Sequence, residues 1–246
     1  MAEAPDNSPV YEQLARIGKC VSSPHRIELL DLLAQGEKSV ESLAAETGLT
    51  LKNTSAHLRV LRGARLVDVR KEAQFSFYRL ADDAVASFVR SLGELAEQRL
   101  AEVREFSEEF RKGRDRMTAL DRRNLLKRVR DGEVVVLDVR AATEYDAGHI
   151  PGARSVPLDE LESALSSIPK SREIVAYCRG LYCGLAEQAV ELLRKKGYRA
   201  SRIHDSIVDW KAAGLPVSRP AAPRRAVSAA KRPRTTARRR SAKQSD

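Results

Sequence analysis

Residues 24–80 read PHRIELLDLLAQGEKSVESLAAETGLTLKNTSAHLRVLRGARLVDVRKEAQFSFYRL, and a change of period inside this stretch decides the fold of the N-terminal half. Pro24 stands at a helix-start position, and Ile27, Leu29, Leu30, Leu32 and Leu33 follow it. A second helix begins near Ser39, turns Val40, Leu43 and Ala44 inward, and ends at Gly48, a residue that tolerates a left-handed backbone. Thr50 then caps a third helix bearing Leu51, Leu58 and Leu61. After Arg65 the period drops to two. Leu66 to Val69 and Phe75 to Leu80 alternate as strands around the polar Lys71-Glu72-Ala73-Gln74, which predicts a β-hairpin.

Working outward, residues 1–9 lack apolar periodicity and read as disordered, and a helix is expected over about 10–21. A single long helix is expected over 83–111, with Val85, Phe88, Leu92, Leu95, Val103, Phe106 and Phe110 as an apolar stripe that needs a partner. The same helix of a second copy would supply it, making residues 10–111 a DNA-binding and dimerisation domain. Helix, Gly turn, helix and β wing form the plan of a winged helix-turn-helix, whose second helix enters the major groove. Thr50, Lys52, Asn53, Ser55, His57 and Arg59 on or beside that helix, Arg62 at its end, and Arg70 and Lys71 in the wing suit phosphate and base-edge contacts with double-stranded DNA.

Over about residues 10–110 the chain resembles the ArsR (arsenical-resistance repressor) family. The likeness rests on the Pro-x-Arg opening at 24–26, the spacing of the two helices, Ser55-Ala56-His57-Leu58-Arg59-Val60-Leu61 and the wing end Tyr78-Arg79-Leu80. The resemblance implies a homodimer on a palindromic operator, released by a signal. Metal-sensing members carry a Cys-rich motif where this chain has KSVESLAAE, or Asp and His on the long helix, where Asp82 to Arg111 holds no His. Soft and imidazole ligands are missing, so no metal and no cofactor are expected here. Cys20 reads either as a small buried residue or as a thiol that works across the dimer.

Residues 112–118 are charged and read as a linker, and a helix is expected over 120–130. Beyond it, Val134 to Leu137 and Ile174 to Tyr177 are buried-strand runs, and Leu185 to Lys196 is helical. Alternating strands and helices predict an α/β domain with a mainly parallel sheet over residues 119–218. The second strand ends directly at Cys178-Arg179-Gly180-Leu181-Tyr182-Cys183-Gly184, and a helix follows. A thiol between a strand's carboxyl end and a helix N-terminus is favoured as thiolate by backbone N–H groups, by the helix dipole and by Arg179. The same loop, with Gly180, Leu181, Tyr182 and Gly184, suits an anionic substrate. A Cys-x5-Arg phosphatase loop would need Arg at position 184, which is Gly. Cys183 either attacks a Cys178 persulfide or serves as a spacer.

This half resembles the rhodanese family over about residues 118–218, through VVVLDVRAATEYDAGHIPGARSVPL, AYCRGLYC and DWKAAGLPV. The resemblance implies that Cys178 accepts sulfane sulfur from a donor such as thiosulfate or a persulfide and passes it on. The family's Gly-Gly before the terminal Trp helix is replaced here by Asp205-Ser206-Ile207-Val208-Asp209. Asp138 with Arg140 reads as an ion pair, and His149 as part of a structural turn.

The 246 residues carry a formal net charge of +10, placed unevenly. Residues 219–246 hold 10 Lys/Arg against a single acid, whereas residues 1–218 hold 34 against 33. That tail reads as disordered and suited to phosphate polyanions. Neither a secretion signal nor an apolar run of the roughly 20 residues that span a bilayer is found, so a cytoplasmic protein is expected. Three cysteines in such a chain argue against a disulfide framework. The whole reads as a multidomain transcriptional regulator, a repressor, that senses or transfers sulfane sulfur through Cys178. The alternatives are a sulfurtransferase enzyme with an autoregulatory DNA-binding domain, and a silent interaction domain.

Overall fold

A computed structural model describes residues 7–111, 122–180 and 182–220. Residues 1–6, the linker 112–118, Leu181 and most of the basic tail, 221–246, lie outside the described residues. The first helix, α1 (Ser8–Cys20), begins two residues before the sequence pattern suggests, with Pro9 in its first turn, where no N–H partner is required. α2 (Pro24–Ala34) opens on Pro24 and buries Leu29, Leu30, Leu32 and Leu33. A short strand, β1 (Lys38–Ser39), leads into α3 (Val40–Thr47), where the Ser42 N–H donates to Ser39 Oγ at 3.2 Å. Gly48, at φ 68°, ends that helix. In α4 (Leu51–Gly63) the Asn53 N–H donates to Thr50 Oγ1 at 3.2 Å, the expected cap. The wing is β2 (Val67–Glu72) paired with β3 (Phe75–Leu80), antiparallel from Val67 opposite Leu80 to Glu72 opposite Phe75. β1 adds itself to β3 with Lys38 opposite Tyr78, a pairing too short for periodicity to show. Leu29, Leu30, Leu33, Leu43, Leu58, Leu61, Val67 and Tyr78 form the core, and Cys20 is buried within it.

The expected long helix is divided. α5 (Asp83–Arg99) and α6 (Ala101–Arg111) meet at Leu100, whose φ −108°, ψ 116° is extended. Helical periodicity runs through this point; beyond the break, α6 packs on the C-terminal domain, where Ser107 is buried and lies beside Tyr182.

That domain begins with α7 (Arg122–Arg130) and β4 (Val134–Asp138), followed by α8 (Ala142–Ala147) and β5 (Arg154–Ser155). α9 (Leu161–Ala164), β6 (Glu173–Tyr177), α10 (Leu185–Lys195), β7 (Ala200–Arg202) and α11 (Ile207–Ala212) complete it. The sheet is parallel throughout, in the order β5-β4-β6-β7. Leu161, Ala186, Ala189 and Leu193 cover one face; Leu125, Ile150 and Trp210 cover the other. Continuous burial of β4 and β6 is what a parallel sheet covered on both faces requires. Among the described residues no helix is long and apolar enough to cross a membrane.

Candidate functional site

Because every strand runs the same way, their carboxyl ends share one edge, and β6 delivers Cys178 there. Register places Tyr177 opposite Asp138, and the Tyr177 hydroxyl donates to the Asp138 carboxylate while accepting the Ile150 N–H at 3.2 Å. The chain then turns at Gly180, φ 121°, where a Cβ would lie 3.4 Å from Ser206 Cβ. The Cys183 N–H donates to Gly180 O at 3.2 Å, and Gly184 starts α10.

Cys178 is only 2% exposed, and its Sγ lies 3.4 Å from the Cys183 carbonyl oxygen. Both thiols are free, and Cys178 Sγ also lies 3.9 Å from Gly180 O. The neighbouring Cys183 thiol, together with burial, pushes the Cys178 thiol up. The neighbouring Cys178 thiol pulls the Cys183 thiol down against its own burial, helped by the N–H groups of Arg179 and Leu185 and by the Arg179 charge. The two thiols therefore titrate as a pair, with Cys183 the lower of the two. The electropositive turn thus acts chiefly on Cys183, which sits at the mouth of α10, whereas Cys178 lies beneath the loop.

Arg179, the residue after Cys178, is held by two carboxylates. Its Nε and Nη2 donate to Glu144 Oε1 and Oε2 at 2.9 and 2.8 Å, and Nη2 lies 2.6 Å from Glu46 Oε2 on α3 of the N-terminal domain. Glu144 is 1% exposed and also accepts the Ala141 N–H at 3.2 Å. Burial opposes its ionisation, yet hydrogen bonds from Arg179 and the charges of Arg179, Lys38 and Arg140 hold its carboxyl below the usual range. Lys38, buried on β1, stands 2.9 Å from Glu46 and 3.3 Å from Glu144. Crowding by protein pushes the Asp31 carboxyl on α2 upward, the Arg179 charge opposing it and Asp209, Cys183 and Glu144 adding to it, although the residue is exposed to solvent. Sequence reading passed over Lys38, Glu46 and Asp31, because only tertiary docking brings them to the loop. Glu144 carried a signal, a carboxylate in the first turn of a short helix, within the segment 134–158.

Further contacts join the two domains. The Tyr182 hydroxyl lies 2.7 Å from Ser107 Oγ on α6, and its ring centroid is 6.2 Å from that of Phe106. Arg140, fully buried, pairs with Asp138 at 2.5 Å and donates through Nη1 to Gln35 Oε1 at 3.2 Å. Gly36 packs so closely that a Cβ there would lie 2.8 Å from Ala147 Cβ. His149 stacks on Tyr145 at 3.6 Å, and its Nδ1 lies 2.9 Å from Tyr145 O, a structural turn. Asp205 receives a two-pronged ion pair from Arg122, and Ser206 caps α11 by accepting the Asp209 N–H at 3.1 Å.

On the DNA-binding domain, α4 buries Thr54, Leu58 and Leu61 and exposes Lys52, Asn53 and Arg59 on its other side, with Ser55 and His57 half-buried. Burial, with Arg26 and His25 nearby, holds His57 below its ordinary value. Thr50 Oγ1 is occupied as the helix cap. Arg62 and Lys71 are exposed, whereas Arg70 is exposed but bound to Glu37 and Glu72. Among the described residues no group of three or more His, Cys, Asp or Glu is arranged to hold a metal ion.

Residues 23–69 match the family described as bacterial regulatory protein, arsR family, and residues 121–213 match the rhodanese-like domain. An HTH-type transcriptional regulator of Mycobacterium tuberculosis is 40% identical over 208 residues, which cover 85% of this chain and 91% of that protein. A sulfurtransferase of Allochromatium vinosum is 34% identical over 103 residues, 41% of this chain and 94% of that one. The biofilm growth-associated repressor of Agrobacterium fabrum is 41% identical over 80 residues, 32% of this chain and 68% of that one. A winged helix-turn-helix with an exposed α4, joined to a parallel sheet that ends in a thiol loop, agrees with both matches: the chain belongs to the ArsR family of transcriptional regulators, in a form that carries a rhodanese-like domain after its DNA-binding domain.

Proposed function

We propose that this regulator is a cytoplasmic repressor that binds a double-stranded operator as a homodimer and changes its operator affinity when sulfane sulfur reaches the Cys178–Cys183 pair. The observation that carries the sulfur half is a pair of free thiols on one loop at the joint between β6 and α10, with Cys178 Sγ 3.4 Å from the Cys183 carbonyl oxygen. Cys178 attacks the outer sulfur of thiosulfate or of a persulfide. A new S–S bond forms, the donor's S–S bond breaks, sulfite or thiolate leaves with the electron pair, and the Cys178 proton passes to Cys183. Cys183 then attacks the inner sulfur of the Cys178 persulfide anion; the persulfide S–S bond breaks, a Cys178–Cys183 disulfide forms, and the outer sulfur leaves with the electron pair and the Cys183 proton as hydrosulfide. Gly180, Tyr182 and Gly184 shape the loop that receives the donor.

Domains over 10–111 and 119–218 fit this division of labour. Lys52, Asn53, Ser55, His57 and Arg59 face the operator, with Thr50 fixing the helix start and Arg62, Arg70 and Lys71 flanking it. Val10, Tyr11 and Leu14 on α1 and Phe88 and Leu95 on α5 are large apolar residues left exposed, which suits a second copy. The basic tail adds sequence-independent affinity.

The test treats the full chain with polysulfide. Mass spectrometry should find one added sulfur on Cys178 and then a Cys178–Cys183 disulfide, and a gel shift should show altered operator affinity that Cys178→Ser abolishes. Unchanged affinity in wild type and variant alike would sink the proposal. The likeness to a sulfurtransferase over 94% of that protein favours a second reading, an enzyme. Thiocyanate formed from thiosulfate and cyanide, with turnover lost in Cys178→Ser, would establish it.

A further inference from the structure

We propose that Glu46 and Lys38 of the DNA-binding domain complete the sulfur site: they hold Arg179 beside the thiol loop, so that the DNA-binding half sets the reactivity of the Cys178–Cys183 pair. This inference rests on reading the loop as a sulfur site. It assigns positioning roles, since neither residue touches sulfur.

Two cations and two anions meet between the domains. Arg179 bridges Glu144 of its own domain and Glu46 of α3, at 2.8 and 2.6 Å. Lys38 bridges the same two carboxylates from β1, at 3.3 and 2.9 Å. The side chains of Lys38 and Glu144 are 4% and 1% exposed, so little water screens the group and each charge is felt by its neighbours. The quartet is neutral in itself, and Arg179 is the residue directly after Cys178 in the thiol loop, so its charge favours a thiolate in that loop. Removing or adding one charge within the quartet must therefore alter the thiolate.

The quartet is also joined to both DNA-reading elements. Glu46 belongs to α3, the helix preceding α4 in the helix-turn-helix, and Ser42 Oγ donates to it at 2.9 Å. Lys38 belongs to β1, which pairs with wing strand β3 opposite Tyr78. A displacement of α3 or the wing on DNA displaces a charge beside the sulfur loop. By linkage, a change of charge in the loop biases α3 and the wing in return. The domains thus communicate by direct contact and do not depend on residues 112–118.

The experiment measures iodoacetamide labelling of Cys183 against pH in the full chain, read by peptide mass spectrometry. Glu46→Gln leaves Arg179 on Glu144 and removes one negative charge, so its labelling midpoint should fall by about half a pH unit. Lys38→Gln removes a positive charge, so its midpoint should rise by a similar amount. Opposite shifts identify charge tuning, because general loosening of the fold would move both variants the same way. Glu46 is partly exposed, so Glu46→Gln decides the matter alone should Lys38→Gln not fold. Midpoints equal to wild type, or a rise in Glu46→Gln, overturn the proposal. Sulfur uptake from polysulfide is followed separately on the wild type. Shifted midpoints without uptake would leave the tuning standing and remove the sulfur function; uptake with unmoved midpoints would do the reverse.

Discussion

Arg179→Met removes the cation on which a buried carboxylate leans. Glu144, 1% exposed, accepts hydrogen bonds from Arg179 at 2.9 and 2.8 Å and keeps in its absence only Lys38 at 3.3 Å and the Ala141 N–H. Breaking a buried pair by removing one partner costs about 3–5 kcal/mol, and the surviving Lys38 places this case at the lower end, about 3 kcal/mol. For a chain of this length that is a fall of roughly 6–12 °C in the thermal midpoint. The effect depends on pH in a definite direction. The Glu144 carboxyl is held below its ordinary 4.5 in the folded chain, so its contribution is complete above that value. It is lost as pH falls through the lower, folded value. The gap between wild type and variant should be full at neutral pH and should close under acid conditions. Differential scanning calorimetry at several pH values checks this, and iodoacetamide labelling adds a second reading, because loss of the Arg179 charge should move Cys183 labelling to higher pH. A midpoint within about 2 °C of wild type at neutral pH would show that Arg179 does not stabilise Glu144.

Four further outcomes are expected. In the reduced wild type, iodoacetamide should modify Cys183 in preference to the buried Cys178, with half-maximal rate near pH 6; equal labelling of both would contradict the charge placement. Thr50→Ala deletes the α4 cap and should cost about 1 kcal/mol in urea unfolding while weakening operator binding. Gly180→Ala forces a side chain into a positive-φ turn against Ser206 and should slow sulfur uptake while leaving operator binding by the reduced chain near wild type. Arg59→Ala should lower operator affinity and flatten its salt dependence by about one ion, measured by fluorescence anisotropy across a salt series.

Much of this architecture is legible in the residues because local signals agree. Gly48 and Thr50 mark the turn and cap between α3 and α4, and the wing announces itself by a period of two. Four consecutive apolar residues from Val134, and Cys178 directly after Tyr177, indicate a buried parallel strand with a thiol at its end. What stays hidden is tertiary. Nothing near Leu100 announces a break, and the contact that follows it, Ser107 against Tyr182, joins residues 75 positions apart. Lys38 looks like an ordinary loop charge until Glu46 and Glu144 close over it. That the loop lowers the Cys183 thiol while burial raises Cys178 depends on which sulfur lies deeper, which spacing alone does not resolve.

Both thiols lie on one short loop of one chain, five positions apart. Closing a bond between them is therefore unimolecular, and its rate does not depend on how many copies of the protein a cell holds. A regulator too dilute for its molecules to find one another would still complete this reaction at full speed, and would reset from it at a rate fixed only by the surrounding reductant.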